Sequence, residues 1–144
     1  MKITICGSLD FFTEMKNARE KLIKAGHEVF MPATAEKILA GVVSIDEINQ
    51  EKGTQAFSDR VIKTNAIKYH YNKIKESDAI LVVNITKKGI DNYVGGNTFL
   101  EIGFAYILEK KIFMLNDAPE ISYSDEIEAM QPIILNNDLS KIKI

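Results

Sequence analysis

The sequence predicts a three-layer α/β sandwich built on a five-stranded parallel sheet. Short apolar runs alternate along the chain with segments whose apolar residues recur at helical spacing. The run at residues 79–83 is apolar throughout, which is typical of a central parallel strand covered on both faces. This alternation favours a flavodoxin-like or Rossmann-like sheet with the strand order 2-1-3-4-5.

The first two strands and the helix between them form a βαβ opening. Ile3 to Cys6 is the first predicted strand, and it ends at a strand-to-helix turn, Gly7-Ser8. Apolar residues recur every three or four positions from Phe12 to Ala25, which predicts the first helix. The second strand runs from His27 to Met31.

The middle of the chain is the hardest part to assign. We expect residues 33–58 to be a partly helical insertion that covers the site as a lid. One helix follows from Asp59 to Glu76, then the strand at 79–83 and a polar loop from Ile85 to Tyr93. Residues 1–144 form a single domain in this interpretation.

The last third of the chain completes the sheet. A helix spans Thr98 to Leu108, a fourth strand Lys111 to Leu115, a short helix Asp125 to Met130 and a fifth strand Ile133 to Leu135. In the order 2-1-3-4-5 the order in which successive strands are added reverses between strands one and three. Ligands bind beyond the carboxyl ends of these strands, so we expect the site there.

The composition excludes several classes of function. A net charge of −2 offers no basic field for a nucleic-acid polymer, and no apolar stretch is long enough to span a membrane. The single cysteine excludes an intramolecular disulfide and suits a reducing cytoplasm. Two histidines and one cysteine without ligand spacing predict no metal site. Neither dinucleotide nor P-loop glycine motifs occur, so we expect no cofactor.

Glu101 is the candidate catalytic residue. It is the only charged side chain from Thr98 to Leu108, on a helix apolar enough to be buried. The preceding Gly95-Gly96 turn lets backbone N–H groups approach a ligand, and a helix N-terminus favours negative charge. In the alternative interpretation, Thr98 and Glu101 form a capping box and Glu101 has no chemical role.

Four motifs together carry a resemblance to a known family. They are the first strand with Gly7-Ser8, the run Ser77-Asp-Ala-Ile-Leu-Val-Val83, the helix Gly96-Asn-Thr-Phe-Leu-Glu-Ile-Gly-Phe-Ala105 and the return strand Lys110-Lys-Ile-Phe-Met114. This pattern resembles the nucleoside 2-deoxyribosyltransferase superfamily, including its 2′-deoxynucleoside 5′-phosphate N-hydrolase branch. The resemblance covers most of the chain except residues 33–58, and the Glu101 helix is its most specific part.

The resemblance implies that Glu101 is a nucleophile that attacks the anomeric carbon of a nucleoside or nucleotide. The family often has an Asp eight residues before the third-strand Asp, and His70 occupies that position before Asp78. His70 is therefore the candidate acid or base, with Asp91 as the other available group. The alternative is a surface-facing His70 on an amphipathic helix.

The expected substrate contacts combine the predicted crevice with the family motifs. They are Gly7, Ser8, Tyr71, Asn84, Gly95, Gly96, Asn97 and Met130. Met130 follows from the resemblance, which implies that this segment of one subunit completes the site of its neighbour in a homodimer or larger homo-oligomer. Tyr123 and Ile127 add apolar surface to the same segment.

The chain also departs from the hydrolase branch. Asp10 lies near the position where that branch has a phosphate-binding Arg, and Glu128 stands where it has Ser. Both would repel a 5′-phosphate, which favours a nucleoside or a nucleotide held differently.

The Gly-Gly turn followed by Thr and Glu is also similar, more weakly, to a motif of the cytokinin-activating phosphoribohydrolases. Both resemblances lead to N-glycosidic chemistry, by hydrolysis or by transfer to another base. The alternative from another class is a nucleotide sensor that binds in the same crevice without catalysis.

Overall fold

The computed structural model describes all 144 residues and contains the predicted parallel sheet. Its strands are β1 (Lys2–Cys6), β2 (Glu28–Phe30), β3 (Ala79–Val82), β4 (Lys111–Met114) and β5 (Ile133–Ile134). All neighbouring strands pair in parallel, in the order β2-β1-β3-β4-β5. The predicted strand order is therefore confirmed.

Seven α-helices connect and cover the strands. They are α1 (Phe12–Lys24), α2 (Ala33–Leu39), α3 (Ile45–Glu51), α4 (Gln55–Thr64), α5 (Ala66–Glu76), α6 (Gly96–Ile107) and α7 (Ser124–Ala129). Two short 3-10 helices lie at Leu9–Phe11 and Leu139–Lys141. The longest helix, α1, has only 13 residues, and none of the helices combines the length and apolarity that crossing a membrane requires.

The two faces of the sheet carry separate apolar cores. Side chains that alternate along a strand point to opposite faces. Ile5 and Leu81 pack on one face in the core that includes α1 and α2. Ile80 and Val82 face the other side, where α5, α6 and α7 supply the partners. This arrangement is the three-layer sandwich that the sequence predicts.

The segment expected to be an insertion is largely helical. It holds α2, α3 and the first residues of α4. The single helix predicted from Asp59 to Glu76 is wrong, because Asn65 adopts a left-handed conformation with φ of 50° and separates α4 from α5. The apolar spacing continues across Asn65, so periodicity did not reveal the break.

Helix α6 begins two residues earlier than the sequence suggests. Gly95 is its N-cap, and Thr98 is the third residue of the helix. Because Thr98 does not occupy the N-cap position, the capping box with Glu101 does not form. Glu101 lies in the second turn, so helix capping does not account for it.

Candidate active site

A cavity of about 340 Å³ opens where β1 and β3 end. Gly7 and Ser8 of the β1–α1 turn line one side, and the start of α6 lines another. Phe57 and Val61 of α4 contribute apolar surface to the lining of the cavity. A Cβ atom on Gly7 would lie 3.0 Å from the carbonyl oxygen of Val83, so the turn depends on glycine for its close approach to β3.

Glu101 reaches this cavity from α6. Its side chain is 13% exposed, and its Oε2 lies 3.6 Å from Nε2 of His70. No lysine or arginine forms a salt bridge with it. Burial raises the pKa of Glu101 to about 8, because the charged carboxylate loses solvation, and a hydrogen bond with Cys6 only partly offsets this effect.

His70 lies on α5 with its imidazole turned inward. The residue is 2% exposed, so the alternative of a surface-facing histidine is wrong. Burial lowers the pKa of His70 to about 4, and the nearby Ile5 backbone partly opposes this shift. Its Nδ1 atom is buried and makes no hydrogen bond of acceptable geometry. The imidazole is therefore neutral at pH 7 and faces Glu101 through Nε2.

Cys6 completes the buried group at the end of β1. Its Sγ lies 3.4 Å from Nε2 of His70, and the residue is fully buried. Burial, followed by the charge of Glu101, raises the pKa of the thiol well above its ordinary value. Donor atoms of Cys6, His70 and Glu101 all lie within 4.8 Å of one another. Their wide separation in the sequence is why spacing did not predict this cluster.

A basic group occupies another part of the cavity wall. Lys52 and Lys87 both line the cavity, and both pair with Asp10. The Nζ atom of Lys87 lies 2.7 Å from the Asp10 carboxylate and donates a hydrogen bond of 3.0 Å to Oγ of Ser8. Hydrogen bonds from Lys52 and then Lys87 hold the pKa of Asp10 below its ordinary value. Two cations face one carboxylate, so Asp10 does not make this wall repulsive to an anion.

The first turn of α6 supplies free backbone donors. The N–H groups of Gly96, Asn97 and Thr98 make no hydrogen bond, and no side chain caps the helix. All three residues line the cavity. These donors can bind a hydroxyl group or an anion in the positive field of the helix N-terminus.

The structure brings together most of the predicted site residues. Those that line the cavity are Gly7, Ser8, His70, Gly95, Gly96, Asn97 and Glu101. The two lysines were missed because they lie in the insertion and in an irregular loop, where no periodic pattern marks a side chain as facing the site.

Asn84 does not line the cavity, although it lies only two residues beyond β3. Its amide donates hydrogen bonds to the carbonyls of Asn116 and Asp117, and its side-chain oxygen accepts one from the Asn116 N–H. Its hydrogen-bonding groups are therefore used to join the ends of β3 and β4. The side-chain amide of Asn84 is therefore not directed at a substrate.

Tyr71, Asp91 and Met130 also lie outside the cavity. The ring of Tyr71 packs edge-on against Phe104 at a centroid distance of 5.2 Å. Asp91 accepts a hydrogen bond from Thr86 within its own loop, as expected of a turn residue. Met130 lines a separate depression near the end of α6. Within one subunit, none of the three can contact a ligand in this cavity.

Comparison with known proteins gives a likeness among solved structures. No protein-family model and no curated protein matches the chain. Among solved structures, it is similar to a 2-deoxyribosyltransferase from the psychrotolerant bacterium Bacillus psychrosaccharolyticus, described as a suitable biocatalyst for the industrial synthesis of antiviral and antitumoral nucleosides. The identity is 22%, over 79% of this chain and 71% of that chain, with a TM-score of 0.48.

Proposed function

We propose that the chain cleaves or exchanges the N-glycosidic bond of a (deoxy)nucleoside or nucleotide, with Glu101 as the nucleophile. The observation that carries this proposal is the position of the Glu101 carboxyl group. It lies at the edge of a cavity at the carboxyl ends of β1 and β3, without a lysine or arginine partner and 3.6 Å from His70. A carboxylate placed beside a sugar-sized cavity suits attack on an anomeric carbon.

The pair of Glu101 and His70 supplies both the nucleophile and a proton. Between the two shifted pKa values the pair holds one proton, which resides on Glu101 in the free protein. Transfer of this proton to Nε2 of His70 leaves the Glu101 carboxylate free to bond to the anomeric carbon. The C–N bond then breaks with its electrons on the leaving base, which takes the proton from His70.

The second half of the reaction restores the protein. Water or a second base attacks the same carbon, the ester bond to Glu101 breaks, and the carboxylate takes back its electron pair. The proton released by the attacking group returns to the pair through His70. Water gives hydrolysis, and a base gives exchange.

The walls of the cavity suit the proposed substrate class. A volume of about 340 Å³ lies within the range of small-molecule sites. Free N–H groups of Gly96 and Asn97 can bind sugar hydroxyls, and the excess positive charge of Lys52 and Lys87 over Asp10 suits a phosphate. A nucleotide is therefore compatible with this wall, and the repulsion expected from Asp10 is offset.

The experiment is a panel of nucleosides and 5′-nucleotides incubated with the protein, with free base measured by chromatography. E101Q should lose at least about 10³-fold in rate, as removal of a nucleophile does. The matched control is E109Q, which changes an exposed glutamate just beyond the same helix. If E101Q turns over substrate like E109Q, the nucleophile assignment is wrong. Saturable binding without turnover in the wild type would favour the nucleotide sensor instead.

We also propose a homodimer, with the contact at a different place from the one the sequence suggested. Ile127 is fully buried in its own subunit, and Tyr123 stacks on Phe99 at 4.6 Å, so neither is free to bind a partner. Exposed apolar side chains instead occur at Ile107 (78% exposed) and Ile133 (48% exposed), beside the depression that Met130 lines.

Sedimentation tests the assembly. The wild type should sediment at twice its chain mass of 16.2 kDa at micromolar concentration, and I107E should sediment as a monomer. A wild-type monomer would remove the proposal of a homodimer, and a dimeric I107E would remove the contact surface.

A further inference from the structure

The buried cluster of Cys6, His70 and Glu101 has the dimensions of a metal site. Sγ of Cys6 lies 3.4 Å from Nε2 of His70, and Nε2 lies 3.6 Å from Oε2 of Glu101. Zinc ligands at bond lengths of about 2.0–2.3 Å in a tetrahedron lie about 3.3–3.6 Å from one another. Both distances fall at these values, and the third pair, Cys6 and Glu101, lies within 4.8 Å, so an ion could enter after side-chain adjustment.

The donor set selects the kind of ion. A thiolate, an imidazole and a carboxylate are ligands that zinc accepts, whereas magnesium and calcium prefer oxygen ligands alone. Cys6 and Glu101 would each release one proton on binding, and His70 would bind as the neutral imidazole. The two negative ligands then balance the charge of a divalent ion, so the buried complex is neutral.

The surrounding structure gives the cluster rigidity and access. The three residues come from β1, α5 and α6, which pack against one another in the same core layer. Cys6 is fully buried, whereas His70 and Glu101 both line the cavity. An ion can enter from that side, and three protein ligands leave a fourth tetrahedral position for water.

We propose that Cys6, His70 and Glu101 bind one Zn²⁺ ion, and that this ion inhibits the protein by occupying its nucleophile. The inhibitory part rests on the proposed glycosidic activity, because the ion and the sugar compete for Glu101. The binding part does not depend on any activity and can be tested without a substrate.

The test uses Co²⁺ as a spectroscopic probe for the zinc site. Cys6 is the only cysteine in the chain, so a thiolate-to-cobalt charge-transfer band can arise only from this residue. Titration of the metal-free protein should give one saturating Co²⁺ ion per chain with this band, and added Zn²⁺ should remove the band by displacement. Cobalt binding without the band, or no saturable binding, would overturn the site.

Variants separate ligation from a general effect on the fold. C6S should lack the band, and H70Q and E101Q should each weaken binding at least about 100-fold, since even loss of a group behind a ligand costs 10–100-fold. H27Q removes the other histidine and should bind like the wild type. Far-UV circular dichroism checks that each variant is folded. Unchanged binding in folded H70Q and E101Q would also overturn the site.

Inhibition is measured separately on whichever substrate the panel identifies. Zn²⁺ should abolish release of free base, and EDTA should restore it. If Co²⁺ shows the band while Zn²⁺ leaves turnover unchanged, the site stands and its inhibitory role is wrong. If no substrate is turned over, the glycosidic proposal fails, and the cobalt titration still decides the metal site.

Discussion

Nε2 of His70 lies 3.6 Å from Oε2 of Glu101, and the two side chains are only 3% and 13% exposed. Burial disfavours charge on each, so the pKa of the acid rises to about 8 and the pKa of the base falls to about 4. Over that range the two residues form a unit that holds a single proton, because Glu101 keeps its proton and His70 is neutral.

The pH dependence of activity should report this unit. In the presence of EDTA, wild-type kcat/KM should fall as pH rises above about 8, because the pair then loses the proton destined for the leaving base. In H70Q no proton acceptor stands beside Glu101, so the lower residual rate should instead rise with pH as the carboxylate ionises. Equal profiles for the two proteins would show that His70 carries no proton in the reaction.

Folding stability should fall with pH for a related reason. Between about pH 7 and 8, folded Glu101 keeps a proton that the unfolded chain has lost, while His70 is largely neutral in both states. Wild-type stability should therefore decrease by up to about 1.4 kcal/mol per pH unit in this window. The 13% exposure of the side chain makes this figure an upper bound.

Chemical denaturation at several pH values in EDTA measures the slope. E101Q has no group to ionise at this position and should lose most of the slope, whereas E109Q should keep it. A wild-type stability that is flat from pH 7 to 8 would contradict the raised pKa of Glu101.

Two glycines give opposite predictions for stability. A Cβ on Gly7 would lie 3.0 Å from the Val83 carbonyl oxygen and 3.3 Å from Sδ of Met15, so G7A should destabilise the fold by about 1–3 kcal/mol. A Cβ on Gly103 would meet nothing within 4 Å, so G103A should stabilise the helix by about 0.5–1 kcal/mol. Thermal melting of the two variants checks both signs, and a destabilised G103A would mean that close packing requires this glycine.

Lys87 should discriminate nucleotides from nucleosides. Removing a cation that binds a phosphate costs about 1.5–3 kcal/mol, so K87A should raise KM for a 5′-monophosphate at least about tenfold. KM for the corresponding nucleoside should change little. K110A, which removes a lysine beyond α6, is the matched control. Equal effects of K87A on both substrates would exclude a phosphate at this wall.

The sheet could be predicted from the sequence because its strands are short, apolar and punctuated by turns. The order of the strands followed from this pattern, and so did the placement of Glu101 and the glycines at the crevice. The break at Asn65 was not predictable, because a single left-handed residue leaves the apolar spacing of both helices intact. The local sequence pattern indicates which faces of a helix or strand are buried, but it does not indicate every position where the chain changes direction.

The rest of the site depends on contacts between distant segments. Asn84 lies two residues beyond β3, but its partner Asn116 lies two residues beyond β4, and this pairing turns a candidate ligand into a structural link. Cys6 belongs to a predicted apolar strand, and its sequence neighbours do not indicate a chemical role for the thiol. His70 meets it only after α5 packs on the sheet. Such pairings appear only when the tertiary structure is known.

The cavity has two walls of different physical character, the exposed helix α4 and the buried group that includes Glu101. No residue of α4 is buried, and ion pairs lie on it and beside it. Arg60 of α4 pairs with Glu51, and Lys52 pairs with Asp10. Dissolved salt screens interactions between exposed charges over about 8–10 Å, whereas buried groups such as Glu101 are screened much less. Ionic strength should therefore control how fast ligands enter and leave past α4, while the chemistry at Glu101 keeps its own rate.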